Sequence, residues 1–261
     1  MRCFQRSVFC ASCLCILLLL PSGCRSIHRS AANGNNTEVL DYLSKGIDVN
    51  VKDSNGMTPF CCAVEKGRIE TAELLLDKGA NINADDKSGK TPLMFAADDG
   101  NLPMLEFLLL NKAEVSPVAF NIAVNEGKRN AAVLIFENLN GYNLLHSAAN
   151  SGDLNKVEKC ISKKFDLNSR DIDGITPLHY AVRNGNAEMI KALLEKGADV
   201  NVKDNDGFSP LHYALLSGRV EICKILIGKG ADLNAKTITG KTAADIAKDS
   251  GKSELIDIVK Q

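Results

Sequence analysis

The 261-residue chain is 45% apolar, balances 31 basic against 32 acidic residues and carries no tryptophan. A near-neutral surface without basic–aromatic clustering excludes an electrostatic footprint for nucleic acid. The length suffices for a sizeable core, and no low-complexity tract interrupts it.

Residues 1–24 read MRCFQRSVFCASCLCILLLLPSGC. Arg2 and Arg6 precede a mostly apolar run, Val8–Leu20, of 13 residues, and small residues follow. This is the pattern of a secretory signal peptide. The run is short for a membrane span, which needs about 20 apolar residues. Small residues ahead of Cys24 resemble a bacterial lipobox, in which the cysteine is lipidated and becomes the new N-terminus. Leucine usually stands three places before that cysteine, whereas Pro21 stands there in this chain and Leu20 is one place early. The expectation is export to the bacterial cell envelope, periplasmic side or outer membrane, with membrane contact through a lipid on Cys24. Ordinary cleavage would instead give a secreted protein.

From Ile27 onward one phrase repeats. TPLHYA at 176–181 returns as SPLHYA at 209–214, and EKGADVN at 195–201 returns as GKGADLN at 228–234. Aligned on the phrase's alanine, the series is Ser30, Ala63, Ala96, Ala123, Ala148, Ala181, Ala214 and Ala247. Successive spacings are 33, 33, 27, 25, 33, 33 and 33. Thr176 is placed to cap a helix, with Pro177 preset at its first position. Leu178, Ala181 and Val182 give that helix one apolar face, and Gly185 ends it. Asn186 caps a second helix with the stripe Ile190, Leu193 and Leu194, stopped at Gly197. Helices this short must bury their stripes against a partner and neighbouring units.

A period of 33 with T-P-L-H-x-A resembles the ankyrin repeat family, over roughly nine tenths of the chain. The resemblance implies an all-α solenoid of about eight helix-turn-helix units with short β-hairpin fingers between them. After the signal at 1–24, the repeat domain is expected over 25–261. Its units fall near 27–55, 56–88, 89–116, 117–140, 141–173, 174–206, 207–239 and 240–261. The first and last depart from consensus, as terminal units facing water should. About six residues are missing between Val115 and Phe120, and about eight between Glu137 and Leu144, against the period of the repeat. The unit between them keeps helical patterning at Phe120, Ala123, Val124, Val133 and Leu134. Two fingers are therefore expected to be cut short, through drift of a tolerant repeat or as a notch or bend that fits a partner.

Chemistry is sparse. His28, His146, His179 and His212 all fall in the motif's histidine slot, and the resemblance makes that imidazole structural. Catalysis would need a histidine at a unique place with converging partners. Cys160 and Cys223 occupy core positions about two repeats apart, too far for a disulfide. Cys61 fills a histidine slot, and Cys62 aligns with Phe95, Tyr180 and Tyr213. Zinc-type CxxC spacing is absent. The acidic clusters Asp85–Asp86 and Asp204–Asn205–Asp206 read as solvated turns, because the glycine and final glutamate of a calcium loop are missing. No enzyme, cofactor or metal is expected.

What remains is recognition of another protein by a monomer, through the concave face and finger tips that the family uses. Alternatives are an inhibitor or immunity-type protein for one partner, or a passive structural envelope protein. The residue between motif histidine and alanine belongs to neither apolar stripe. That column reads Arg29, Cys62, Phe95, Ile122, Ser147, Tyr180, Tyr213 and Ile246. A second column, two residues past the alanine, includes Asp98, Arg183 and the apolar exception Leu216. Tyrosine and arginine are favoured hot spots. Tyr180, Arg183, Tyr213 and Leu216 are therefore the expected centre of contact. Phe95, Asp98 and Asp99 form a secondary patch, and Asp173, Asp206 and Ile238 a rim. The competing reading is that the aromatics cover neighbouring helices.

Overall fold

A computed structural model describes residues 26–260. The signal segment and Cys24 lie outside the described residues. Among the described residues there are sixteen α-helices and no strand, and no helix is long and apolar enough to cross a membrane.

The helices fall into two compact units, residues 26–89 and 90–260. The first holds α1 (Ile27–Asn33), α2 (Asn36–Ser44), α3 (Pro59–Glu65) and α4 (Ile69–Asp77). Each of its helices pairs with the next in its repeat, and α1 packs on α3. The second holds α5 (Pro92–Asp99), α6 (Leu102–Leu110), α7 (Pro117–Asn125), α8 (Arg129–Leu139), α9 (Leu144–Ser151) and α10 (Leu154–Ser162). It continues with α11 (Pro177–Asn184), α12 (Ala187–Glu195), α13 (Pro210–Leu216), α14 (Val220–Gly228), α15 (Ala243–Ser250) and α16 (Ser253–Ile258).

The α11/α12 pair shows why these residues fold this way. Thr176 and His179 form a capping box at the start of α11, Pro177 sits in the first turn, and Gly185 closes the helix at φ 78°. Only a residue without Cβ takes that left-handed conformation at no cost. The Asn186 side chain accepts from the Met189 N–H and starts α12. Leu178, Ala181, Val182, Met189, Ile190 and Leu193 are all buried. α11 packs between α9 and α13, and α13 packs on α15. From α9 to α16 the core is thus a row of apolar layers, each shared by adjacent pairs.

The fingers differ from expectation. They are tight turns rather than β-hairpins. Asp171 N–H donates to the Ile175 carbonyl at 3.0 Å, and Gly174 N–H returns to Asp171 at 2.9 Å. One further bond joins successive tips: Asn205 N–H to the Asp173 carbonyl at 3.0 Å, then Ile238 N–H to the Asp206 carbonyl at 2.9 Å. Two backbone bonds within each turn and a single backbone bond between neighbouring tips are too few for a ladder. Gly207, at φ 80°, makes one such approach, since a Cβ there would meet the backbone of Thr237 and Ile238 at 2.9–3.1 Å.

The middle of the second unit is irregular. Fourteen residues separate α10 from α11, and fourteen separate α12 from α13, but only six separate α6 from α7 and four separate α8 from α9. α7 packs on α5 as in a regular array, yet α9 packs on α6. Lys156 of α10 reaches both carboxylate oxygens of Glu106 on α6 at 3.1 Å. Lys112 Nζ donates to the Lys164 carbonyl at 3.0 Å.

Candidate protein-recognition surface

The tyrosine column is built by a module that occurs twice, 33 residues apart. Asp171 Oδ1 accepts from the backbone N–H groups of Asp173 and Ile175 at 3.0 and 2.9 Å, which shapes the finger turn. Its Oδ2 accepts from the Tyr180 hydroxyl at 2.7 Å. Asp204 Oδ1 likewise accepts from Asp206 and Phe208 N–H at 3.0 and 2.8 Å, and Oδ2 accepts from the Tyr213 hydroxyl at 2.6 Å. Burial and the adjacent carboxylate push both phenols well above their ordinary range. The hydroxyls are therefore spent on the fold, and the half-buried rings are what remains to present.

Arg183 bridges the two modules. Its guanidinium carbon lies 5.7 Å from the Tyr180 ring centroid and 6.0 Å from that of Tyr213. Both distances are in cation–π range. The Arg183 backbone carbonyl is held by Arg219 Nη2 at 3.0 Å. Leu216 is 59% exposed and Ile238 71% exposed, and Asp173 and Asp206 are exposed. The structure thus brings Tyr180, Arg183 and Tyr213 into one strip.

The secondary patch fares differently. Phe95 is only 9% exposed, and Lys90 Nζ lies 4.5 Å above its ring. Lys90 also pairs with Asp98. Phe95 is covered rather than presented, a correction to its place in the expected contact. Asp98, half-buried, and the exposed Asp99 remain at the surface. Cys62, in the same column, is buried too.

The histidines are structural fittings. In His179, Nδ1 accepts from the Thr176 N–H at 3.2 Å, which leaves the proton on Nε2 to donate to the Phe208 carbonyl at 3.1 Å. His212 repeats this between Ser209 N–H at 3.0 Å and the Ala235 carbonyl at 3.2 Å. His146 does so from Asn143 N–H at 3.2 Å to the Ser169 carbonyl at 3.0 Å. Burial pushes all three imidazoles down, His179 to about 4. Cys61, in the histidine slot, keeps the same link with its thiol, donating to the Ala84 carbonyl at 3.2 Å. The four described cysteines are free and buried, and burial raises each thiol, to about 12 at Cys62 and about 11 at Cys160 and Cys223. Among the described residues no group of histidine, cysteine or acidic side chains is arranged to hold a metal ion.

Two depressions escaped the sequence reading. One, of about 680 Å³, lies on α7/α8 and is lined by Phe120, Val124, Val133 and Phe136, among others. The other, of about 440 Å³, runs from Phe136 and Glu137 past Tyr142 to Asp171 and Tyr180. Tyr142 meets Tyr180 edge-on at 5.2 Å between centroids. The signal available in the sequence was the pair of shortened connections around α7/α8.

Comparison with known proteins agrees with this architecture. A family model for ankyrin repeats matches in three copies, at residues 27–121, 118–204 and 145–237. A stretch of 49 residues, 19% of this chain, is 39% identical to acyl-CoA-binding domain-containing protein 4 of Oryza sativa subsp. japonica. A stretch of 52 residues, 20% of this chain, is 38% identical to acyl-CoA-binding domain-containing protein 1 of Arabidopsis thaliana. The matched part spans 15% of the length of each relative. The chain belongs to the ankyrin repeat family, whose repeats generally serve as protein–protein interaction modules.

Proposed function

We propose that this protein is a non-enzymatic recognition module that captures one partner protein through the strip Tyr180, Arg183, Tyr213 and Leu216. Asp173, Asp206 and Ile238 form its rim. The observation that carries the reading is the Arg183 guanidinium lying over two anchored tyrosine rings, with Leu216 exposed one turn along α13 from Tyr213. Anchored aromatics lose little entropy on binding, and arginine and tyrosine are the residue types that dominate interface energies. We place the module in the cell envelope, on the strength of the charged start, apolar run and Cys24 in residues 1–24.

A photo-crosslinking amino acid at position 216, used in intact cells, tests the recognition. A single stoichiometric adduct is expected, and it should disappear when Arg183→Ala is added. Absence of any adduct, or one that ignores Arg183→Ala, overturns the reading. Labelling with a radioactive fatty acid tests the anchor: the wild-type chain should carry label and Cys24→Ser should not.

A further inference from the structure

The α7/α8 pair buries Ala119, Ala123, Ala131 and Ile135 but leaves the rest of its apolar face open. By register Phe120, Val124 and Phe136 stand where Leu178, Val182 and Leu194 stand in α11/α12. Val182 is 0% exposed and Leu194 half-buried, whereas Val124 and Phe136 are 50% and 53% exposed and Phe120 is half-buried where Leu178 is buried. The difference lies in the neighbours. α11 has α9 on one side and α13 on the other; α7 has α5 on one side, while α9 lies against α6. What is left open is the groove of about 680 Å³, with Arg129 and Glu137 lining it from opposite ends of α8.

We propose that this groove seats one amphipathic helix of a partner protein, in the place a following inner helix fills in a regular unit. The regular units show the surface that fits. The helix should carry apolar residues at i, i+3 and i+4, as Leu211, Ala214 and Leu215 do in α13. Its charges follow from the groove. Arg129 has no ion-pair partner among the described residues, and it sits at the positive end of α8, where a cation is disfavoured. Glu137 has none either, and burial alone raises its carboxyl. An acidic side chain facing Arg129 and a basic one facing Glu137 would satisfy both. Eight residues of helix separate Arg129 from Glu137, about 12 Å, so the partner's two charges belong about eight residues apart. A second copy of this chain fits less well, since it would set groove against groove and leave the cleft unfilled. The site shares no residue with the Tyr180–Leu216 strip, so the two readings fail separately.

The probe is a fluorescent 18-residue helical peptide with that apolar spacing and one Glu and one Lys eight residues apart, beside a twin carrying Lys at both positions. Anisotropy with the full chain should show saturable binding of the Glu/Lys peptide, about tenfold tighter than the twin. Arg129→Glu should invert that preference. Phe136→Ser should weaken binding about tenfold with an unchanged melting point, because Phe136 is already half exposed. Leu216→Ser should leave peptide binding unchanged. Three results would overturn the proposal: no saturable binding, binding indifferent to both Phe136→Ser and Arg129→Glu, or a wild-type dimer in sedimentation that Phe136→Ser dissociates.

Discussion

Tyr180 donates its hydroxyl to Asp171, nine residues upstream, at 2.7 Å, and the same carboxylate shapes the finger turn that follows it. Tyr213 and Asp204 repeat the arrangement at 2.6 Å. One side chain thus pins a finger to a helix while offering its ring to solvent.

Replacing Tyr180 and Tyr213 by phenylalanine removes the tether and keeps the rings. The acceptor carboxylate is half-buried at Asp171 and buried at Asp204, and a hydrogen bond to a charged group contributes about 1.5–3 kcal/mol, so each variant should lower the urea-derived stability by about that much. Partner capture should survive. If capture falls in step with the hydroxyls while stability holds, the phenols themselves face the partner.

The apolar register gives a contrast between two units. Leu193 is fully buried, and Leu193→Ala should cost about 2–5 kcal/mol by the cavity it leaves. Val124 occupies a core register position but is half exposed, so Val124→Ser should change stability by no more than about 0.5 kcal/mol. Equal costs at the two sites would mean that the groove beside α7 is closed in solution.

Acid should weaken the fold before the carboxylates titrate. The folded state holds His179 at about 4, below the unfolded value of about 6.5. The unfolded chain therefore binds the extra proton, and stability rises with pH across that window. This contribution is complete above about pH 6.5 and is lost as pH falls toward 4. His146 and His212 act in the same direction. The melting temperature should drop between pH 7 and pH 5, and His179→Ala should flatten the slope while lowering stability at both ends. An unchanged slope in the variant would show that this imidazole is not the group responsible.

The buried thiols should be inert. With Cys160 and Cys223 held near 11, little thiolate exists at pH 8, and thiolate is the reactive form. Iodoacetamide followed by peptide mass spectrometry should find both unlabelled in the native protein and labelled in urea. Rapid native labelling of Cys160 would contradict its position in the core.

The helix pairs were legible because period and capping residues are local. Thr176, Pro177 and Gly185 announce a helix whatever surrounds it. The Tyr180–Asp171 bond was not legible, because the column that singled out Tyr180 counts along the helix while its partner lies in the preceding finger. Phe95 misled for a related reason: its column position says where the Cβ points, not that Lys90 folds back over the ring. The open groove was hidden for the opposite cause. Phe120 and Val124 read as core because the apolar pattern is the same whether or not a neighbouring helix arrives to cover it.

The Glu106–Lys156 pair bears on how the second unit assembles. It closes 50 residues, and Lys112 to Lys164 closes 52, against 33 for the finger bond from Asn205 to Ile172. The longer closure costs only about 0.4 kcal/mol more in chain entropy, so distance along the chain is a minor obstacle. The order of events is the larger one. In a regular array each folded repeat templates the next, and structure spreads as a front. Here α9 docks on α6, past the intervening pair, so a front moving through α7 and α8 has little helix surface to hand on. The stretches on either side must nucleate independently and then meet, and refolding should show two kinetic phases whose slower member is sensitive to Lys156.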